Sequence, residues 1–468
     1  MVPYFPKQIS LRGVLIYLLS LVTIYVMYIS YSMSVEFVII GILSVSSFFF
    51  FSSRWTQKWA RLTEKKFIGR VFLYALLFRL IWVLFSYFYY QSVNGTPFEY
   101  GAADSMGYHN EAVWLASEPW SVTWDYYFGP NAFGVSDVGY PLYLTMLYRL
   151  FGPVIIIPRL LKALMSACTC ILVYRLSART FGEETGRMAG IMCALMPNLI
   201  MYCGYHLKET EMLLVIVLFL ERLDYLIRSE KVSFWSIFPP TILALGMFFF
   251  RTILGLSAFF TFATAILISS APTMKKGWKR AALVGWIVLG FLTAGGGTIA
   301  TEVEAYWENR DENLSNKREE QMLQGNRWAQ YATGTVMAPI VFVLPFATMV
   351  DVDQQYGQQE KHGGNYVRNF MGFFALLAIY EAFRRKKWRN FAVIGAFAVS
   401  YLGVISLTGF SNSERFLLPG LPCLIMMWAY GVSTLRKETY KLLIPWSFIV
   451  LAMEIGWAYF KLGSRGLF

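Results

Sequence analysis

Charge is scarce in this chain: Asp, Glu, Lys and Arg make up 15% of its 468 residues, against 56% hydrophobic and 18% aromatic. That balance excludes a soluble globule, about a quarter of which is normally charged. Histidine occurs three times, at His109, His206 and His362, too scattered to build a metal centre. The five cysteines show no paired spacing of a zinc site. Four of them, Cys168, Cys170, Cys193 and Cys423, fall inside apolar runs and read as small buried side chains. There is no Walker loop, no HExxH and no nucleotide-binding GxGxxG, so energy must arrive with a substrate or a gradient. Positive charge is missing altogether from Gln91 to Tyr140, a stretch that carries Glu99, Asp104, Glu111, Glu118, Asp125 and Asp137.

Apolar runs of the roughly 20 residues that cross a bilayer recur along the chain. They predict an all-α polytopic membrane protein with about thirteen spans (eleven to thirteen), at 11–30, 36–51, 71–90, 154–178, 186–203, 210–228, 234–250, 252–270, 281–300, 369–383, 391–409, 414–434 and 442–460. The first is too long for a signal-peptide core and reads as a retained anchor. A net charge of +12 invites a nucleic-acid reading, but the basic residues form short knots between spans, at 54–70, 275–280, 384–389 and 436–441. Such knots mark cytoplasmic loops, so no nucleic acid is expected as a partner. The amino terminus is then cytoplasmic and the carboxyl terminus outside. Four regions follow: a hairpin with its basic loop (1–70), a membrane core (71–300) with a first extracytoplasmic loop at 91–153, a large extracytoplasmic loop (301–368), and C-terminal spans (369–468). In the first loop, "GYPLYLTMLYRLFG" (139–152) is amphipathic and predicts an interfacial helix. In the second, "TVMAPIVFVLPFATMV" (335–350), interrupted by Pro339 and Pro345, predicts an interfacial or re-entrant segment.

Ionisable groups beside the hydrocarbon are costly and are candidates for function. Asp104 precedes a helical pattern that sets Asp104, Tyr108, Glu111 and Ala112 on one face. It reads either as a helix cap or as a general base aimed at a hydroxyl near the membrane surface. "YHLKETEM" (205–212) crowds His206, Lys208, Glu209 and Glu211 into a short outer turn. Arg251 and Arg415 stand at outer span ends, either as interfacial anchors or as forks of donors for a phosphate.

Taken in order, "DSMGYHNEA" (104–112), "GYPLYLTMLYRLFG", "PRLLKALMSACTCILVYRLSARTFG" (158–182), "MAGIMCALMPNLIMYCGYHLKETEMLLV" (188–215) and "RFLLPGLP" (415–422) resemble the GT-C superfamily. These are polytopic glycosyltransferases that use polyprenyl-phosphate sugars, and the likeness is greatest to bacterial relatives of protein O-mannosyltransferases and of lipid A aminoarabinose transferases. It covers about residues 71–435. The resemblance implies an inverting transferase in the bacterial inner membrane, working on the extracytoplasmic side on a lipid, glycan or protein acceptor. It places the base at Asp104, a charged pair at Lys208 and Glu209 with Glu209 as a second catalytic candidate, and the lipid phosphate near Lys208, Arg251 and Arg415. Tyr108, His109, Glu111 and His206 are then substrate-binding candidates. Ser105 stands where protein O-mannosyltransferases carry a second acid. Mg²⁺ or Mn²⁺ is a possible aid to phosphate neutralisation. With no Lys or Arg in its loop, Asp104 is expected to be free of salt bridges. Two rival readings are a polymerase or ligase acting on polyprenyl-diphosphate oligosaccharides, and a lipid-linked-sugar flippase.

Overall fold

The computed structural model describes residues 3–129, 135–229, 233–268, 285, 340–352, 355–407, 413–463 and 466–467. Among these residues there is no strand. The backbone pairs outside helices at one antiparallel bridge, Ser32 with Val350. Helix α1 (Lys7–Met27) and α2 (Val35–Trp59) form a hairpin, followed by α3 (Glu64–Asn94). Gly95, at φ 71°, ends α3 in the left-handed conformation that glycine adopts without penalty. Three shorter helices build the first loop: α4 (Ala103–Ser117), α5 (Trp120–Phe128) and α6 (Gly139–Phe151). Then come α7 (Ile156–Phe181), α8 (Glu183–Leu195), α9 (Pro197–Met201), α10 (Glu209–Arg228), α11 (Phe234–Gly246) and α12 (Thr252–Ile268). After the undescribed stretch follow α13 (Tyr356–Glu360), α14 (His362–Arg384), α15 (Ala392–Ser406), α16 (Glu414–Leu417), α17 (Leu421–Ser433), α18 (Lys437–Lys441) and α19 (Leu443–Gly463).

Among the described residues, seven helical stretches are long and apolar enough to cross a membrane: α1, α2, α3, α7, Trp388–Ser406, Glu414–Ser433 and Lys437–Gly463. The protein is thus an integral membrane protein, although this stricter count does not reach thirteen. The span at 281–300 and most of the loop at 301–368 lie outside the described residues. The other five predicted spans form helices that are short, interrupted or charged. Pro197 ends the 186–203 run as one helix, because it removes a backbone donor and opens a new helix at its first position. Helix α10 carries Glu209, Glu211, Glu221, Arg222, Asp224 and Arg228. The 234–270 run divides at Met247–Arg251, where a 3₁₀ turn separates α11 from α12. Helix α14 opens with the polar run "HGGNYVRN". Conversely, α2 is longer than the predicted 36–51. It continues into the basic knot because Trp55 and Trp59 stack on each other and against Tyr74.

Burial separates an outer shell from a central post. Only a third of the apolar window of α1, α2 and α19 is buried, whereas 94% of Glu414–Ser433 is. Close helix approach needs small side chains. A Cβ on Gly186 of α8 would sit 2.5 Å from that of Ala178 on α7, so glycine is required there. Arg79 of α3, fully buried, ties the same helices together by donating to Ser166 Oγ at 2.7 Å and to the carbonyl of Ala194 at 3.0 Å. Such a group is tolerable in an apolar core only because its donors are met.

The bundle has two unlike ends. At one, basic residues meet acids: Arg179 with Glu221 and Asp224, and Arg384, Arg385 and Arg436 of the basic knots with Glu381. At the other, the first loop folds over the turns that precede α10, α12, α14 and α16. The predicted interfacial helix is α6. It packs Tyr140, Leu144 and Tyr148 against Ala112 of α4, and leaves Met146, Leu150 and Phe151 exposed.

Candidate functional site

Gly101, at φ 67°, turns the chain sharply into α4. The helix begins at Ala103 with Ala102 in the cap position, so Asp104 is not its cap. The expectation that Asp104 is free of salt bridges is overturned. Arg415 Nη1 donates to Asp104 Oδ2, reaching it from a position 311 residues further along the chain. The loop's own shortage of cations does not isolate its acids, because the bundle brings one in from elsewhere. Even so, 59% of the Asp104 side chain stays exposed.

Behind this pair lies Glu209, fully buried at the first position of α10. Its Oε1 accepts from Arg415 Nε at 2.5 Å and from Arg251 Nη2 at 3.0 Å. The Arg251 guanidinium also lies over the Phe416 ring, 4.3 Å from its centre. Lys208, buried as well, donates to the Phe250 carbonyl at 2.7 Å and pairs with Asp137, a left-handed residue at φ 67° on the returning arm of the loop. Four of the sequence-predicted residues, Asp104, Glu209, Arg251 and Arg415, thus join in one alternating chain of charge, and Lys208 has its own acid.

Asp104 and Arg415 border a cavity of about 400 Å³ whose walls come from the first loop, the turn before α10, residues 345–348, α13, α16 and α19. Lys208, Glu209, Arg251, Tyr108, His109, Glu111 and His206 are not in its lining. Tyr108 packs edge-on against Tyr140. Although the helical spacing places Glu111 on the Asp104 face, its carboxylate accepts from Tyr127 of α5 at 2.8 Å and holds the loop helices together. His109 Nδ1 lies 2.8 Å from Tyr148 Oη, which lies 3.1 Å from His206 Nε2. Burial lowers both imidazoles below their ordinary pKa, with Arg159 adding to the effect on His109 and Lys162 then Arg159 on His206. They form a neutral hydrogen-bonded chain beneath the loop.

The cavity has five charged lining residues that the sequence did not single out as site residues: Glu99, Glu360, Lys361, Glu414 and Lys461. Glu99 accepts from Ser105 Oγ, beside Asp104. Glu360 accepts from Tyr90 Oη at 2.5 Å and Tyr205 Oη at 2.9 Å, and burial pushes its carboxyl up to about 7. Lys361 lies 3.6 Å from Glu414 and over the rings of Tyr202 and Tyr205, while Glu414 also accepts from Asn198 Nδ2 and, at 3.2 Å, from Tyr202 Oη. Two signals were available. Glu414 immediately precedes Arg415, and "QQEKHGGN" (358–365) is as polar, at the head of an apolar helix, as "HLKETE". Among the described residues no three His, Cys, Asp or Glu side chains converge as a metal site would require.

In comparison with known proteins, the sequence model of the Alg9-like mannosyltransferase family matches residues 113–462, about three quarters of the chain. No curated protein matches it. The matched region starts beyond Asp104 and takes in Arg415, Lys361 and the later helices, leaving α1, α2 and α3 outside it.

Proposed function

The chain belongs to the Alg9-like mannosyltransferase family, a GT-C family of membrane glycosyltransferases, and on that premise we propose that it moves a sugar from a polyprenyl-phosphate donor to an acceptor hydroxyl at the extracytoplasmic face of a bacterial cell membrane, with inversion at the sugar. The family's name puts mannose first among the sugars to test. The acceptor is a glycolipid, a cell-envelope glycan or a protein. The observation that carries this reading is the meeting of Asp104 and Arg415 at the edge of a polar cavity, on the end of the bundle away from the basic knots. Basic residues mark the cytoplasmic side of spans.

The proposed chemistry needs a base on one side of the anomeric carbon and cations around the leaving phosphate. The acceptor oxygen attacks that carbon, its proton passes to the Asp104 carboxylate, and the bond to the phosphate oxygen breaks with its electron pair going to the phosphate. Arg415 and Lys361 are the cavity cations assigned to that phosphate, a role for which the arginine fork is suited. A donor phosphate would compete with Asp104 for Arg415, so arrival of the donor would free the carboxylate to act as base. Glu209 and Arg251 are assigned to positioning: Glu209 fixes the Arg415 guanidinium, and Arg251 balances the buried charge of Glu209. Lys208 is assigned to holding the loop through Asp137.

The test is Asp104→Asn. Transfer is expected to fall roughly 10²–10⁴-fold, the usual worth of a positioned general base, with binding of a labelled polyprenyl-phosphate sugar retained. Wild-type transfer by this variant would remove Asp104 from the mechanism. Passage of lipid-linked sugar across vesicles without any transfer would replace the enzyme reading by the flippase.

A further inference from the structure

The hairpin α1–α2 precedes the family match, yet it is built onto the candidate site. Between the two helices, at the end facing the first loop, runs a groove of about 220 Å³. Leu18 and Val22 of α1 form one side, Val38 and Ile42 of α2 the other, and Met33 and Met349 close its head. Leu18 and Val22, like Val38 and Ile42, are spaced i, i+4 and so stand one above the other along their helices. The groove is almost wholly apolar, and it opens on the lipid-facing side of the hairpin, where Val22 and Tyr25 are 60% and 52% exposed.

What joins this groove to the polar cavity is one short strap. Pro345, Phe346 and Thr348 line the cavity, and Met349, the next residue, lines the groove. The strap is pinned on both sides: the Ala347 N–H donates to Glu454 Oε2 at 3.1 Å, Val350 bridges to Ser32, and the Asp351 N–H donates to the Tyr31 carbonyl at 2.7 Å. A polar chamber for a charged head and an apolar channel open to the bilayer therefore lie on the two faces of the same few residues.

A polyprenyl-phosphate sugar is an amphiphile of that shape. Its phosphate and sugar need the cations and hydroxyl-binding groups of the cavity, and its chain gains only by leaving water or displacing lipid. We infer that the α1–α2 groove, closed by Met349, binds the isoprenoid chain of the donor next to its phosphate. This rests on the donor class proposed above. It gives the hairpin a task, recognition of the lipid carrier, that is separate from the chemistry at Asp104 and Arg415.

The experiment compares two donors with the same sugar and phosphate, one carrying a full-length polyprenyl chain and one a chain of two isoprene units. Val22→Trp and Ile42→Trp fill the groove. Leu15→Trp is the control on the same helix, since Leu15 is exposed and lies outside the groove lining. The groove-filling variants are expected to raise KM for the long donor roughly tenfold, the equivalent of about two buried methylenes, with kcat and the short-donor KM unchanged. Leu15→Trp should leave both donors as in the wild type. In parallel, a photoreactive polyprenyl phosphate should label α1 or α2, and excess unlabelled polyprenyl phosphate, but not phospholipid, should suppress the labelling. An equal KM for both donors in every variant, or an equal rise for both, would overturn the assignment. Suppression by phospholipid would make the groove a general lipid contact and overturn it too. If the wild type uses neither donor, the donor class itself is wrong, a result distinct from failure of the groove.

Discussion

The two ends of the bundle use the same residue types in opposite ways. At the basic end, Glu381 faces Arg384, Arg385 and Arg436, while Asp224 faces Arg179 and Arg228. Those arginine side chains are 26–40% exposed, and each acid is outnumbered. At the loop end, acids and cations alternate one for one, from Asp104 to Arg415 to Glu209 to Arg251, and most of that chain is buried. Glu381 and Asp224 are themselves buried, but a partner whose own charge reaches water is worth little where the acid keeps others. A buried pair is costly to form and costlier to break. The loop end therefore carries charge that stability alone would not select, beside a cavity that a substrate can enter.

Substitutions can break or sharpen that contrast. Glu209→Gln leaves the buried Arg251 guanidinium without an acid and strips Arg415 of one of its two, and is expected to destabilise the protein by about 3–5 kcal/mol, read as a drop in the unfolding temperature in detergent, along with loss of transfer. Arg415→Met is expected to lower kcat roughly 10²–10³-fold, the worth of one electrostatic donor at the departing group. Arg415→Lys should recover only part of this, because an ammonium cannot reach Asp104 and Glu209 as a fork.

Glu360 gives a pH signature. Its carboxyl lies near 7 when folded, against an ordinary value near 4.5, so the folded protein holds a proton that the unfolded chain has released. Its contribution to stability is complete below about pH 4.5 and is lost as pH rises through 7, a swing of ~3 kcal/mol. Glu360→Gln should lessen the fall in unfolding temperature between those limits. The smallest effect belongs to the basic end. Arg385→Ala removes one of three partners of Glu381 and should cost only about 0.2–1 kcal/mol, with transfer unchanged.

How far the sequence could be read follows from the range of the interactions. Hydropathy is local, so α1, α2, α3 and α7 were legible as spans, and alternation of the basic knots separated the two ends. The amphipathic run at 139–152 was legible as α6. Pro197 was visible too, but within a continuous apolar run it passed as part of a span. Asp104, Lys208, Glu209, Arg251 and Arg415 could be singled out one by one, since each is an ionisable residue at a span end. Their pairing could not. Asp104 meets Arg415 across 311 residues and Glu209 meets Arg415 across 206, and no local pattern records such a contact. The same holds for Glu414, whose partners are Asn198 and Tyr202 on α9 and its C-terminal end, and Lys361 at the start of α14, all far away in the chain. Glu111 misled for a related reason: helical spacing fixes the face, but Tyr127 of the next helix decides where the carboxylate goes.

The most direct measurement is transfer by the purified protein from a panel of polyprenyl-phosphate monosaccharides of known anomeric configuration, mannose first, to membrane-extracted acceptors. Consumption of one donor is expected, with release of free polyprenyl phosphate and a product whose anomeric configuration, read by NMR, is opposite to that of the donor. Transfer with retained configuration, or transfer only from polyprenyl-diphosphate oligosaccharides, would contradict single displacement by an Asp104-activated hydroxyl.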